Sequence, residues 1–350
     1  MRKISKVGRI VLGDGRVAIQ SMFKKPLRAY SEASLKRLYN MGCDIMRFSI
    51  SDESEDEIRS FVRRCDDLFP LVSDIQGSVS QAVRSLKAGC SAIRLNPANF
   101  RISDLESITE LAGERNAAIR IGINEGSLDD RSDDAIIRFF DDYVSFFESR
   151  RFENLVLSVK SSDYSRTLFI NRLIGERFGY PMHVGLTEAG DICVSAVRTT
   201  MVLCDLIKTG RIDTIRYSIS GSEESEVRCA YEFLRTLGNA SGDFQIVSCP
   251  MCARAGADVE EFDRMVENFV FDNFDIRGLN LKLAIMGCPV NGIKEAEDAD
   301  VAVCATKSGY AIYRDGKLEC NVCEKTEFES LFVETVSNAI KERAIGRKSI

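Results

Sequence analysis

The residues best equipped for chemistry lie toward the C-terminal end of this sequence. Cys249 and Cys252 form a tight CxxC in SCPMCAR, Cys288 follows in GCPVNGIKE, and Cys320 and Cys323 make a second CxxC. A CxxC turn can present two thiolates to one metal centre. From spacing alone two sets stay open. Cys249, Cys252, Cys320 and Cys323 would make a structural zinc site, although the two pairs stand far apart for a zinc ribbon. Cys249, Cys252 and Cys288, each near the end of an expected strand, would instead supply three thiolates to an iron–sulfur cluster.

A second group recurs through the first two-thirds of the chain, at the ends of short β-branched runs: Arg47, Asp74, Arg94, Asn96, Arg120, Asn124, Lys160, Glu188, Arg216 and Ser218. One strand-end cation alone is usually a solvated charge or half of a salt bridge. Five of them at about one level, Arg47, Arg94, Arg120, Lys160 and Arg216, repel one another unless an anion joins them. A phosphorylated or diphosphorylated substrate is the economical reading. His183, the only histidine, opens a strand away from the expected mouth and reads as a satisfied core residue rather than a general base.

The elements that must position these residues come in a repeating order. VAIQSM, CDIMRFSIS, LVSDIQ, SAIRLNP, AAIRIGIN, NLVLSVKSS, MHVGLTEAG and DTIRYSISG alternate with stretches of helical period such as EDEIRSFVRRCDDLF and EVRCAYEFLRTLG. Eight successive βα units favour a closed (β/α)8 TIM-type barrel over an open doubly wound sheet. No GxGxxG or GxxxxGK[ST] loop follows any strand. The small-residue stretch LGNASGDFQ, 237–245, reads as a linker, which divides the chain into a substrate-binding barrel, 1–240, and a small α+β domain, 241–350, that carries the clustered cysteines. Cys43, Cys65, Cys90, Cys193, Cys204 and Cys229 fall in apolar-periodic segments and read as core residues.

Bulk properties narrow the partners. The chain has 350 residues, 45% of them hydrophobic, which is enough for a sizeable core, and its net charge is −6 with no long basic block. Nucleic acid and anionic membrane are therefore not expected as partners. The N-terminal segment lacks an apolar h-region and no apolar run is long enough to span a bilayer, so a soluble cytoplasmic protein is expected.

SCPMCAR followed by LKLAIMGCPVNGIKEAEDADVAV resembles the C-terminal signature of the GcpE/IspG family of 4-hydroxy-3-methylbut-2-enyl diphosphate synthases. AIQSM, RLNPANF, RIGINEGSL, SVKSSD, HVGLTEAG and DTIRYSISG are similar to that family's barrel segments, in the same order. The resemblance implies a 4Fe–4S cluster held by Cys249, Cys252, Cys288 and Glu295, and reductive ring opening of 2-C-methyl-D-erythritol 2,4-cyclodiphosphate with flavodoxin or ferredoxin as electron donor. It implies that Arg47, Asp74, Arg94, Asn96, Arg120, Asn124, Lys160, Arg216 and Ser218 bind the cyclic diphosphate, and that Glu188 is a proton donor or orienting acid. A carboxylate is a harder and more easily displaced ligand than a thiolate, which suits an iron that must open. The last barrel helix ends at the face opposite the mouth, so a head-to-tail homodimer is expected, with the cluster domain of one chain capping the barrel of the other.

The chain departs from the family pattern at FKKPLR (23–28), at Gln76, at Glu125, and at Ile293 and Lys294. These departures touch substrate contacts more than cluster ligands, and Lys24, Lys25 and Lys294 are expected to alter anion contacts. Cys304, Cys320 and Cys323 fall outside the family's ligand set. A diverged reductase of another phosphorylated compound and a zinc-stapled binding protein remain the alternatives.

Overall fold

The computed structural model describes residues 2–187, 190–290, 294, 297–306, 308–322 and 324–345. By contact density the chain divides into two units, Met1–Asn239 and Ala240–Ile350.

A short antiparallel hairpin, β1 (Ser5–Val7) and β2 (Ile10–Leu12), opens the first unit. Eight strands follow: β3 (Ala18–Met22), β4 (Ile45–Ser49), β5 (Leu71–Asp74), β6 (Ala92–Leu95), β7 (Ala118–Asn124), β8 (Leu155–Lys160), β9 (His183–Val184) and β10 (Thr214–Ile215). Strands buried on both faces lose the alternation of a half-exposed sheet and read as near-continuous β-branched runs, which is why they were legible. They pair in parallel in the order β8-β7-β6-β5-β4-β3-β10-β9. A parallel bridge from Leu157 to Met182 joins the two outer strands and nearly closes the barrel. The hairpin was not expected. Its Val7 and Leu12 pack with Ala18, Ile45, Val72, Ala92, Ala118 and Val156, one residue from each of six strands, and plug the end where those strands begin.

Eight helices cover the barrel: α1 (Glu32–Asn40), α2 (Glu55–Cys65), α3 (Val79–Ala88), α4 (Ile102–Glu114), α5 (Asp133–Ser149), α6 (Tyr164–Phe178), α7 (Ile192–Ile207) and α8 (Glu223–Thr236). Most start at a side-chain cap: Ser31, Ser54, Ser78, Ser132, Asp163, Asp191 and Ser222 each accept a backbone N–H of the first turn. Such caps contribute about 1 kcal/mol apiece and set where each loop ends. The core reading holds for Cys43, Cys65 and Cys90, whereas Cys204 and Cys229 are half-buried and Cys193 is exposed. On α7 the apolar residues circle the helix: Val202, Leu203 and Leu206 turn inward while Ile192, Val194, Val197 and Met201 stay exposed. Periodicity therefore could not say which side of it is the core.

The second unit is a five-stranded sheet, β11 (Asp243–Ser248), β12 (Asn280–Met286), β13 (Val301–Thr306), β14 (Gly309–Arg314) and β15 (Lys317–Val322), in sequential order. Its first three strands are parallel and its last two antiparallel. Helices α9 (Val259–Asn273) and α10 (Lys325–Ile345) pack on it. Asp315 and Gly316, both at positive φ, make the two-residue turn of the final hairpin. The expected linker runs three residues too far: 243–245 belong to β11, where Phe244 is buried against Phe271. Among the described residues no helix is long and apolar enough to cross a membrane.

Candidate active site and thiol loops

Side chains along a barrel strand alternate between interior and exterior, so positions two apart build successive interior levels. Above the apolar level of Ala18, Ile45, Val72, Ala92, Ala118 and Val156, the next step along each strand reads Gln20, Arg47, Asp74, Arg94, Arg120 and Ser158. The interior thus turns from apolar to charged within one repeat of the strand. Above the charged level opens a cavity of about 340 Å³, lined by Arg47, Asp74, Gln76, Arg94, Arg120, Asn124, Ser158, Lys160, Thr187, Arg216 and Ser218 among others. All five strand-end cations meet there.

Each arginine is held by a neighbour. Arg94 Nη1 lies 3.4 Å from Asp74 Oδ1, and its Nη2 donates to the Gly122 carbonyl at 2.9 Å. A Cβ at position 122 would come within 2.6 Å of Arg94 Nε, so only glycine leaves room for this guanidinium to lie across β7. Arg47 Nη2 donates to Met22 Sδ at 3.0 Å, and its Nε stands 4.0 Å from Asp74 Oδ2. Arg120 Nη1 donates to Gln20 Oε1 at 2.6 Å. Arg216 forks onto Glu226, Nη2 at 2.7 Å and Nε at 3.0 Å. Lys160 has no carboxylate partner among the described residues.

Among the described residues two carboxylates, Asp74 and Glu226, therefore face five cations. Two like charges about 6 Å apart repel by about 3 kcal/mol at an effective dielectric near 20, so this excess is a large standing cost. Three of the five, Arg47, Arg120 and Lys160, carry its signature. Burial pushes Arg47 down to about 10, Asp74 opposing and Arg216 and Arg94 adding to the push. Burial and the surrounding arginines hold Arg120 and Lys160 well below their ordinary values. Arg120 Nε and Nη2 and Arg47 Nε are buried without an acceptor among the described residues. Donors buried unpaired cost about 1–3 kcal/mol each, and an entering anion would satisfy them.

His183 is buried, and its Nδ1 meets Thr214 Oγ1 at 2.5 Å. Its Nε2 finds no partner among the described residues, so it is only half satisfied. Burial first, then Arg120 and Lys160, keep it neutral, which fits a core residue better than a proton acceptor at the mouth.

Asn96 does not line the cavity; its side chain accepts the Ala98 N–H at 3.2 Å and caps a short turn. Glu125 is buried and turned to Arg166, away from an anion-binding role. Glu188 lies outside the described residues. Glu226 and Gln20 escaped the sequence reading. An acid in the opening turns of a helix reads as dipole compensation, whereas the buried amide in AIQSM was a signal available in the sequence.

In the second unit, Cys249 directly follows β11, and its N–H donates to Ile285 O of β12 at 2.9 Å. Gly256 N–H donates to Gly287 O at 2.8 Å, so the CPMCARAG loop lies along the end of β12, one residue before Cys288. Gly287 permits this approach, since a Cβ there would meet Val259 Cγ2 at 3.0 Å and Ala255 Cβ at 3.2 Å. Met251, between the two thiols, takes a left-handed backbone, φ 54°. The Arg254 N–H and guanidinium hold the exposed Cys252 thiol below its ordinary value, which favours thiolate. Cys249 and Cys288 are half-buried. Cys304, buried beside Cys249, is pushed up to about 11 by burial, with Cys288 and Cys249 adding to the push, and stays a thiol.

The zinc set fails on topology. Cys320 lies on β15, at the opposite edge of the sheet from β11, four strand spacings or about 19 Å away. Cys323, Ile293 and Glu295 lie outside the described residues, and Lys294 is exposed. Among the described residues no three His, Cys, Asp or Glu side chains are grouped to share one ion. Three thiols on two adjoining loops, Cys249 and Cys252 on one and Cys288 on the other, are the donor type that iron–sulfur clusters take.

Comparison with known proteins covers both units. A family model described as the GcpE TIM-barrel domain matches residues 2–231, and one described as the GcpE protein C-terminal domain matches 245–338. The 4-hydroxy-3-methylbut-2-en-1-yl diphosphate synthase (flavodoxin) of Thermotoga petrophila is 35% identical over 341 residues, covering 95% of this chain and 96% of the relative. The protein of the same name from Clostridium acetobutylicum is 32% identical over 349 residues, covering 95% and 97%. Among solved structures, Yersinia pestis dihydropteroate synthase superposes with a TM-score of 0.50 at 12% identity, over 68% of this chain and 98% of that one. That likeness shows the barrel fold alone.

Proposed function

The chain belongs to the GcpE family, and from that premise we propose that it is a flavodoxin-dependent 4-hydroxy-3-methylbut-2-en-1-yl diphosphate synthase whose substrate sits in the cationic mouth of the barrel. The reaction opens the ring of 2-C-methyl-D-erythritol 2,4-cyclodiphosphate with two electrons and loss of water. The observation that carries this reading is the 340 Å³ cavity lined by five cations, where among the described residues Asp74 is the carboxylate on the wall and Glu226 lies buried behind Arg216. A cyclic diphosphate supplies the missing negative charge and accepts from the unpaired Arg120 and Arg47 donors. Asn124 and Ser218, on the same wall, offer neutral hydrogen bonds for orientation. Glu188 is assigned the proton-donating or orienting role.

Cys249, Cys252, Cys288 and Glu295 are assigned to a 4Fe–4S cluster. When bound, such a cluster supplies electrons singly, and its carboxylate ligand yields more readily than a thiolate. What the chain's own residues contribute is a CxxC turn closed by Met251, a loop laid along β12, and a buried Cys304 that does not compete as a thiolate. The free thiols throughout the described residues suit a reducing compartment such as the cytoplasm.

The working unit is assigned as a head-to-tail homodimer. The exposed apolar row Val194, Val197 and Met201 on α7 supports self-association. Mixing a Cys288→Ala chain with an Arg94→Ala chain restores activity if each supplies the other's missing half; two folded variants that fail to complement exclude it. The decisive test of the function is anaerobic turnover of the cyclodiphosphate with a chemical reductant. Protein that holds iron and acid-labile sulfide but leaves the ring closed would overturn the reading.

A further inference from the structure

On the reading of the cavity as a diphosphate site, we infer that Glu226 and Lys24 are positioning residues: one buried carboxylate fixes Arg216 at the barrel mouth and, through Lys24, ties the loop after β3 to the same point. Neither residue touches the substrate.

The Glu226 side chain is 0% exposed, a place where a carboxylate is tolerated only if fully engaged. It is. Besides the Arg216 fork, it accepts from Ser21 Oγ at 2.8 Å and from the Ile219 N–H at 3.2 Å, and it pairs with Lys24 Nζ at 3.0 Å. Burial alone would raise its carboxyl, but Arg216 and Lys24 outweigh burial and the net shift is downward, so the group is ionised. A guanidinium held on two nitrogens has its plane fixed, and the remaining edge of Arg216 belongs to the cavity wall.

Lys24 was expected to alter the anion contacts. Instead its ammonium donates to Ile219 O at 2.5 Å and Gly221 O at 2.7 Å and pairs with Glu226, which uses all three of its protons. The loop is stitched a second time, one helical turn earlier. Glu223 accepts the Lys24 N–H at 2.9 Å and bonds Tyr30 Oη, which itself accepts the Lys24 and Lys25 N–H groups at 2.9 and 3.1 Å. The Phe23–Arg28 segment is thus anchored to the start of α8 by the same acid that aims a substrate-binding arginine. Lys24 in this chain acts on the anion only through Glu226 and Arg216.

The test uses the full chain and inorganic pyrophosphate as probe, with binding read by calorimetry. The intact protein binds it; Glu226→Gln weakens binding about thirtyfold, since it removes the counter-charge and one arm of the fork that fixes the Arg216 guanidinium. Lys24→Met weakens it about fivefold, Lys24→Arg restores most of that, and the double variant is no weaker than Glu226→Gln alone. With the cyclodiphosphate, Lys24→Met raises KM about as much and leaves kcat nearly unchanged. Absence of pyrophosphate binding in the intact protein overturns the reading of the cavity. Intact binding that Lys24→Met and Glu226→Gln leave unaltered overturns this inference and spares that reading. A parallel fall in kcat and Tm for Lys24→Met, without a change in KM, also overturns it by showing a merely structural tie. Should Glu226→Gln not fold, the contrast between Lys24→Met and Lys24→Arg decides alone.

Discussion

The barrel mouth and the thiol loops gather reactive groups in opposite ways. At the mouth the groups stand on paired strands, and the arginines are held by neighbours: Arg94 by Asp74 and Gly122 O, Arg120 by Gln20, Arg216 by Glu226. The cost there is electrostatic, built in before any ligand arrives. In the second unit the thiols sit on loops beyond the strand ends, anchored by a few backbone bonds such as Cys249 N–H to Ile285 O and Gly256 N–H to Gly287 O. No crowd of like-charged cations stands among the described residues there, and the loops fix fewer side-chain positions. A rigid cage suits a substrate that must be oriented and released at every turnover; a ligand loop suits a group that stays and organises its own ligands.

The largest effect expected separates the two regions. Cys288→Ala loses iron and sulfide and lowers turnover by more than about a hundredfold, while pyrophosphate binding by the barrel is unchanged. Loss of both at once would break the comparison. Arg120→Met does the reverse: pyrophosphate binding falls about a hundredfold with iron content intact. Because the ligand-free protein also sheds a buried, under-paired cation, its Tm rises by about 2–4 °C. A lowered Tm would show that Arg120 is structural.

Gly122→Ala sharpens the point that the cage depends on backbone room. The added methyl displaces Arg94 and weakens pyrophosphate binding about tenfold, and the substitution Gly122→Ala combined with Arg94→Ala adds little to Arg94→Ala alone. The smallest effect concerns Lys160, whose folded value lies well below 10.5 because of burial and then the arginines around it. Between that lowered value and 10.5 the unfolded chain binds a proton that the folded chain lacks. Stability therefore rises with pH across this window, by at most about 1.4 kcal/mol per pH unit. Urea denaturation at a series of pH values, with and without Lys160→Met, isolates the slope; an unchanged slope in the variant would place the strain elsewhere.

Much of this was written in the chain itself. The eight β-branched runs, their order and the cations at their ends follow from local patterning, because a strand buried on both faces must be apolar until it reaches the mouth. The Asp-Gly turn and the helix caps are equally local. The CxxC turn and Cys288 stand out as candidate ligands through residue chemistry and the likeness to a family. Other features are relations between distant residues, and only the folded chain decides those. That Cys320 stands across the sheet from Cys249, that the Phe23–Arg28 lysine turns inward to Glu226, and that the β1–β2 hairpin plugs the barrel depend on strand order and barrel closure. Which face of α7 is the core, and hence that Cys193 is exposed, depends on what the helix packs against. Spacing along a chain constrains neighbours within a turn or a strand, but the partner of a buried charge is chosen by whatever folding brings within about 3 Å of it.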